Sequence, residues 1–148
     1  MKGEKTPVKT QETTLDLIAE DCIGVRARLL NRVVSRVYDD ALRPLGLRTS
    51  QLNILVVAAR KGLVRPAQVG SRNVDRMRTR GWIEVIEDEK DARAHRLRVS
   101  AKGRRLIEKA SPAWEAARRE VKNLLGQEEV AALVRAAEKV RHPPGLDR

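Results

Sequence analysis

The chain has 148 residues and a formal net charge of +11, which allows one domain with a modest core and predicts a polyanionic partner. Aromatic residues make up only 2% of it and phenylalanine is absent, which argues against single-strand binding by base stacking. No apolar run is long enough for a transmembrane helix, so we expect no membrane partner. A single cysteine, Cys22, cannot form an internal disulfide and suits a reducing cytoplasm.

The N-terminal part of the chain predicts a tail and one long helix. Residues 1–14 lack an apolar segment, so we expect a disordered basic tail and not a secretory signal. Apolar residues from Leu15 to Leu42 recur at steps of three, four and seven, which predicts one amphipathic helix. Pro44 and Gly46 are expected to end it.

Shorter helices are predicted next. Thr49 or Ser50 is the expected N-cap of a second helix, which closes at Gly62. Pro66 suits the first turn of a third helix. An arginine-rich helix then runs to Gly81, which supplies the positive φ that a helix C-terminus often requires.

A β-hairpin is predicted after this basic helix. Residues 82–87 and 96–100 alternate apolar and polar side chains, as half-buried strands do. The charged segment Asp88–His95 is expected to form the tip between them. A basic helix followed by a two-stranded basic hairpin is how a winged helix-turn-helix holds DNA; the alternative is a surface hairpin beside an ordinary charged helix.

The C-terminal part predicts two more helices. Ser100 is the expected cap of a long helix, and Pro112 should kink it or split it near Glu108. Gly126 interrupts the pattern, and residues 128–140 form the last helix. The apolar stripes of the terminal helices exceed what one small core requires.

Three stretches match one family. Val74–Ile83 resembles the end of its recognition helix, and Asp88–Gly103 resembles its wing, including the Asp-x-Arg spacing of Asp91 and Arg93. Leu42–Leu52 is similar to the entry into its second helix. On these residues the chain resembles the MarR family of bacterial transcription regulators, from about Leu15 to Val140.

This resemblance implies a mainly α fold with a small β-hairpin wing, in which a winged helix-turn-helix is flanked by dimerisation helices. Residues 15–46 and 101–142 would form those helices, residues 47–100 would bind DNA, and residues 143–148 would be a tail. The implied function is that of a homodimeric regulator, a repressor on a pseudo-palindromic operator in double-stranded DNA, released by a small aromatic or anionic effector. No enzyme activity, metal or cofactor is expected.

One departure from the family pattern lies between Pro66 and Gly81. A helix-turn-helix needs roughly 20 residues or more for its two helices and turn. The chain offers only Ala67–Gly70 and then Ser71–Arg80, so the turn and the first half of the recognition helix are missing. We expect the protein to contain a further segment between Gly70 and Ser71; the alternative is a genuine deletion.

The candidate DNA contacts lie on the basic helix and the wing. Arginine and asparagine are common base readers, and arginine also meets phosphates and the minor groove. Asp91 is expected to orient the wing by holding Arg93 or a helix cation, while Val74 and Met77 face inward. The alternative for each contact is a solvated basic face. The predicted contacts are Ser71, Arg72, Asn73, Arg76, Arg93, His95 and Arg96.

Cys22 is a candidate redox sensor, as single cysteines near the first helix are in some MarR-like proteins. It also lies on an apolar stripe, where a free cysteine is a small buried hydrophobe, and its neighbours Glu20 and Asp21 disfavour a thiolate. The two histidines form no triad or metal cluster with it. A non-specific architectural DNA-binding protein and a helical interaction protein remain alternatives.

Overall fold

The computed structural model describes residues 14–62, 71–88 and 91–141, and for residues 17, 71–72, 88, 91–95 and 141 the backbone alone. It is mainly helical, with one two-stranded antiparallel hairpin. The elements in chain order are α1 (Thr14–Asp21), α2 (Ile23–Leu42), a short 3-10 turn (Arg43–Leu45), α3 (Thr49–Lys61), α4 (Ser71–Thr79), β1 (Ile83–Asp88), β2 (Asp91–Val99), α5 (Ala101–Leu125) and α6 (Gln127–Arg141).

Two compact units divide the chain after Val34. The first holds α1 and the start of α2, which are separate helices because Cys22 is not helical. The prediction of one unbroken helix over this region is therefore wrong. Gly24, a weak helix former, stands in the first turn of α2, while the Cys22 carbonyl accepts the backbone N–H of Arg26 at 3.2 Å and so begins the new helix.

The start of α3 depends on a residue from α2. The sequence predicted Thr49 or Ser50 as the N-cap of α3. This prediction is wrong, because Arg48 occupies that position. Asp39 accepts hydrogen bonds from the backbone N–H and the hydroxyl of Thr49, at 2.7 and 2.8 Å. The side chain of Gln51 accepts the N–H of Arg48 at 3.0 Å. A carboxylate ten residues upstream thus does the work that a local cap usually does.

Glycines end the helices where the sequence predicted. Gly46 follows the 3-10 turn at φ 64°, and Gly62 caps α3 at φ 78°. Gly81 follows α4 at φ 72°, with the N–H of Trp82 donating to Met77 O at 2.9 Å. Gly126 separates α5 from α6 at φ 97°. Because a left-handed backbone costs glycine little, each glycine turns the chain sharply.

The hairpin is longer than the alternation predicted. Ile83 pairs with Val99 and Glu87 with His95, and an irregularity follows between Glu87 and Asp88. Strand β2 begins at Asp91, so most of the predicted tip belongs to a strand. Backbone pairing between Glu87 and His95 and between Asp88 and Asp91 extends β2 beyond the stretch in which apolar and polar residues alternate.

Helix α5 is one continuous helix. Ser100 caps it as predicted, its hydroxyl accepting the N–H of Gly103 at 3.0 Å. Pro112 lies inside the helix, as predicted, but the helix is not split near Glu108; the alternative prediction, a kink, stays a prediction. Pro112 is exposed, and the helix continues for more than three turns beyond it, so one missing backbone hydrogen bond does not end it.

The second unit contains the core. Leu42 from α2, Leu55 from α3 and Met77 from α4 are fully buried, as are Ile83 and Leu97 of the hairpin. The inward orientation predicted for Val74 and Met77 is confirmed, with exposures of 7% and 0%. Burying a side chain of this size contributes about 1.5–3 kcal/mol, so this core fixes α4 and the hairpin on a common support.

The prediction of a further segment between Gly70 and Ser71 is wrong. In the full sequence of 148 residues, Gly70 is followed directly by Ser71. Residues 63–70, including the helix predicted at Pro66, lie outside the described part. Helix α4 begins at Ser71 and has nine residues. The described helix after residue 70 is therefore short, at nine residues.

Candidate nucleic-acid interface

Helix α4 separates its apolar and basic residues onto two faces. Val74 and Met77 are buried against the core, whereas Arg76, Arg78 and Arg80 are exposed. Arg80 directly follows α4, and its backbone N–H donates to Arg76 O at 3.1 Å, so Arg76 and Arg80 lie on the same side of this segment. Asn73 is half-buried. The exposed face of α4 therefore presents guanidinium groups, which suit phosphate oxygens and guanine edges.

The first residues of α4 carry two of the predicted contacts. Ser71 and Arg72 form its first turn, and nothing is described of their side chains. Their predicted contacts with DNA stay predictions, as does that of Asn73.

Hydrogen bonds with two other segments, the start of α5 and the turn before α3, hold the C-terminal end of α4. Lys102 Nζ donates to Arg80 O at 2.8 Å, and the Ser100 hydroxyl donates to Gly81 O at 2.6 Å. Arg80 Nη1 donates to Gly46 O at 2.7 Å, and its guanidinium lies 4.9 Å from the ring centroid of Trp82. Lysine at a helix C-terminus also complements the helix dipole. We call this set of contacts the α4–α5 junction.

Gly103 allows α5 to approach the base of the hairpin. A Cβ atom at this position would lie 2.2 Å from Trp82 O and 2.8 Å from Cγ1 of Val99. The backbone of Ser100 also donates to Trp82 O at 3.1 Å. The hairpin and the N-terminus of α5 are consequently in backbone contact, and α4, the hairpin and α5 are held in one geometry.

The hairpin carries the remaining predicted contacts. Arg96 pairs with Ile86 across the strands and is half-buried. Arg98 donates to Glu84 Oε2 at 2.8 Å, with both side chains about half exposed. Such an exposed pair contributes little to stability, and Arg98 keeps donors toward solvent.

The backbones of Asp91, Arg93 and His95 belong to β2, toward the far end of the hairpin. Their side chains lie outside the described part of the chain. The orienting role predicted for Asp91 and the DNA contacts predicted for Arg93 and His95 stay predictions.

Sequence reasoning missed the groove beside α4. This groove has a volume of about 530 Å³ and joins the turn before α3 to the second half of α4. Arg48 and Arg80 line it together with the predicted contact Arg76. The four-residue spacing of Arg76 and Arg80 was a visible signal. Nothing in the sequence placed Arg48 near them, because the contact joins segments about 30 residues apart.

Cys22 is half-buried between α1 and α2. Asp21 and Ile18 lie on the same side of α1 and border one shallow depression with it. Its role as a redox sensor stays a prediction.

None of the helices in the described ranges is long and apolar enough to cross a membrane.

Neither the protein-family models nor the curated proteins include a match to this sequence. Solved structures do match. A mutant of MarR from E. coli in complex with operator DNA has 20% identity and a TM-score of 0.71, over 84% of this chain and 96% of that chain. Apo wild-type MarR from E. coli has 21% identity and a TM-score of 0.64, over 80% and 95%. A MarR-like protein from Bacillus cereus has 16% identity and a TM-score of 0.66, over 80% and 92%. The chain therefore has the winged helix-turn-helix fold of the MarR family of transcription regulators over most of its length.

Proposed function

We propose that this protein is a cytoplasmic transcription regulator without enzyme activity, a repressor that binds a pseudo-palindromic operator as a homodimer. A small aromatic or anionic effector would release it from DNA. The proposal rests above all on one observation, which is the basic outer face of α4 held rigidly beside a wing.

Three observations support DNA binding. Arg76 and Arg78 are exposed on a helix whose other face is buried, and Arg80 is exposed directly after that helix. The chain carries a net charge of +11, which favours a polyanion. The fold also matches that of a MarR protein crystallised with operator DNA. A helix for the major groove and a hairpin for the adjacent backbone or minor groove would form the interface.

Exposed apolar side chains on the terminal helices support a dimer. On α1 and the start of α2, Leu15 and Ile23 are exposed. On α6, Leu133, Val134 and Val140 are exposed on one stripe. Monomeric proteins rarely leave such stripes in water, and a two-fold operator requires a two-fold protein. A second copy of the chain is the partner that satisfies both requirements.

The effector proposal follows from linkage. In the proposed dimer, two winged helix-turn-helix regions joined by dimerisation helices bind DNA only when their spacing matches half-sites about 34 Å apart. A ligand that prefers another spacing lowers operator affinity, by the ratio of its affinities for the two states. A panel of phenolic and anionic compounds that changes neither the melting temperature nor operator affinity would contradict this part.

The DNA function is tested by fluorescence anisotropy on the promoter of the neighbouring operon and on a scrambled duplex, at several salt concentrations. Arg93→Ala should weaken binding to both duplexes and reduce the salt slope by about one unit, because a wing arginine meets backbone phosphates. Arg119→Ala, an exposed position of α5, is the matched control. Equal affinities and slopes for the two variants would contradict the role of the wing.

A second candidate function is non-specific architectural DNA binding. The observation that favours it is the nine-residue length of α4, with only residues 62–70 between it and the end of α3. Fewer base contacts would leave phosphate attraction as the main term. Operator-binding regulators typically prefer their site by 10³ or more. A ratio near one at physiological salt would favour the architectural function over the repressor.

A further inference from the structure

The groove between the turn before α3 and the second half of α4 is strongly basic. Three arginines line it, against one carboxylate, that of Asp75. Gly46 and Gln51 supply neutral polar atoms to its walls. Its volume of about 530 Å³ is that of a site for a small molecule or for part of a nucleic-acid backbone.

Arg80 is the fixed element of the groove. Its Nη1 is anchored on Gly46 O at 2.7 Å, and its guanidinium lies 4.9 Å from the ring centroid of Trp82. A guanidinium has five N–H donors, so this anchor leaves others available. A charge already held in place loses little entropy when it binds an anion, and the other two arginines need only close around it.

Arg48 and Arg76 are exposed, and they line the groove from the turn before α3 and from α4. Among the described residues, Arg76 has no carboxylate within ion-pair distance. The α3 N-terminus itself is occupied, since Asp39 accepts from Thr49 and Gln51 accepts from Arg48. Any anion in the groove would therefore be held by the arginines and not by the helix end.

We propose that this groove binds a phosphate group through Arg48, Arg76 and Arg80. Guanidinium forks match phosphate oxygens in charge and geometry, and three of them around one recess exceed what a solvated helix face requires. The phosphate has two sources, either the DNA backbone flanking α4 or free phosphate in solution. The first source rests on the DNA function proposed above, whereas the second does not.

Arg48→Gln and Arg76→Gln test the proposal, because both side chains are exposed and their loss leaves the core intact. Arg80→Gln is avoided, since Arg80 also holds the α4–α5 junction. Arg119→Gln is the matched control. Each protein is titrated with inorganic phosphate at constant ionic strength, against chloride, and its melting temperature is followed. Each is also titrated with a DNA duplex at several salt concentrations.

If DNA supplies the phosphate, each groove substitution lowers the salt slope by about one unit and the control leaves it unchanged. If free phosphate is the ligand, the wild type shows a saturable rise in melting temperature that both groove variants lose and the control keeps. A wild type that binds no DNA but shows this rise would refute the DNA function and support the groove. Groove variants that match the control in both titrations would overturn the proposal.

Discussion

The α4–α5 junction differs from the terminal helices, which are α1, the start of α2 and α6. The junction buries its apolar side chains and pairs its backbone carbonyls, whereas the terminal helices leave apolar side chains exposed. At the junction, Trp82 and Leu97 are buried and the backbone carbonyls of Arg80 and Gly81 have side-chain donors. On the terminal helices, Ile23 is 81% exposed and Val140 is 76% exposed. The junction is complete within one chain. The terminal helices leave apolar surface exposed to water. Burial of that surface against a second copy of the chain would stabilise a dimer by about 25 cal/mol per Å².

The largest expected effect is at the junction. Gly103→Ala should destabilise the protein by roughly 1–3 kcal/mol or more, because its Cβ would lie 2.2 Å from Trp82 O and backbone must move. Gly24→Ala is the matched control: among the described residues its Cβ meets Cys22 Sγ alone, at 3.8 Å, and alanine favours the helix by about 0.5–1 kcal/mol. Urea unfolding measures both. Equal free energies of unfolding would show that α5 does not hold the base of the hairpin in this way.

A second prediction concerns the terminal helices. Val134→Asp should weaken the proposed dimer at least tenfold, because it places a charge on the exposed apolar stripe of α6. Arg135→Asp, on the other side of the same helix from Leu133, Val134 and Val140, should leave the dimer unchanged. Sedimentation over a range of concentrations measures the association constant. A wild type that stays a 16.6 kDa monomer at micromolar concentration would contradict the dimer.

The smallest effect concerns Tyr38, which is half-buried on α2. Burial raises its pKa above the ordinary 10.0, and the charge of Arg118 partly opposes that rise. A raised pKa means that the neutral phenol is favoured in the folded state. Its contribution to stability is full below pH 10.0 and is lost as the pH rises through the folded-state pKa.

The measurement is tyrosinate absorbance, which reports Tyr38 alone because the chain has one tyrosine. The native midpoint should exceed that of the denatured chain, and Arg118→Gln should raise it further. A native midpoint at or below the denatured one would show that this part of α2 is open to water, like the terminal helices.

Local signals in the sequence determined the ends of most elements. Gly81 and Gly126 stop helices because a left-handed backbone costs glycine little, and Ser100 caps α5 because its hydroxyl can accept an N–H three residues later. The spacing of Val74 and Met77 fixed which face of α4 is buried. These features depend on neighbours within one helical turn, so the sequence expresses them directly.

Tertiary structure decided what joins the elements. Asp39 replaces a local cap for α3, and Arg80 reaches the carbonyl of Gly46, 34 residues away. The close approach that requires Gly103, and the meeting of Arg48 with Arg76 in one groove, likewise depend on packing between helices. Propensity and periodicity describe one element at a time. Contacts between distant segments follow from how the buried faces fit together, and that is settled only when the core forms.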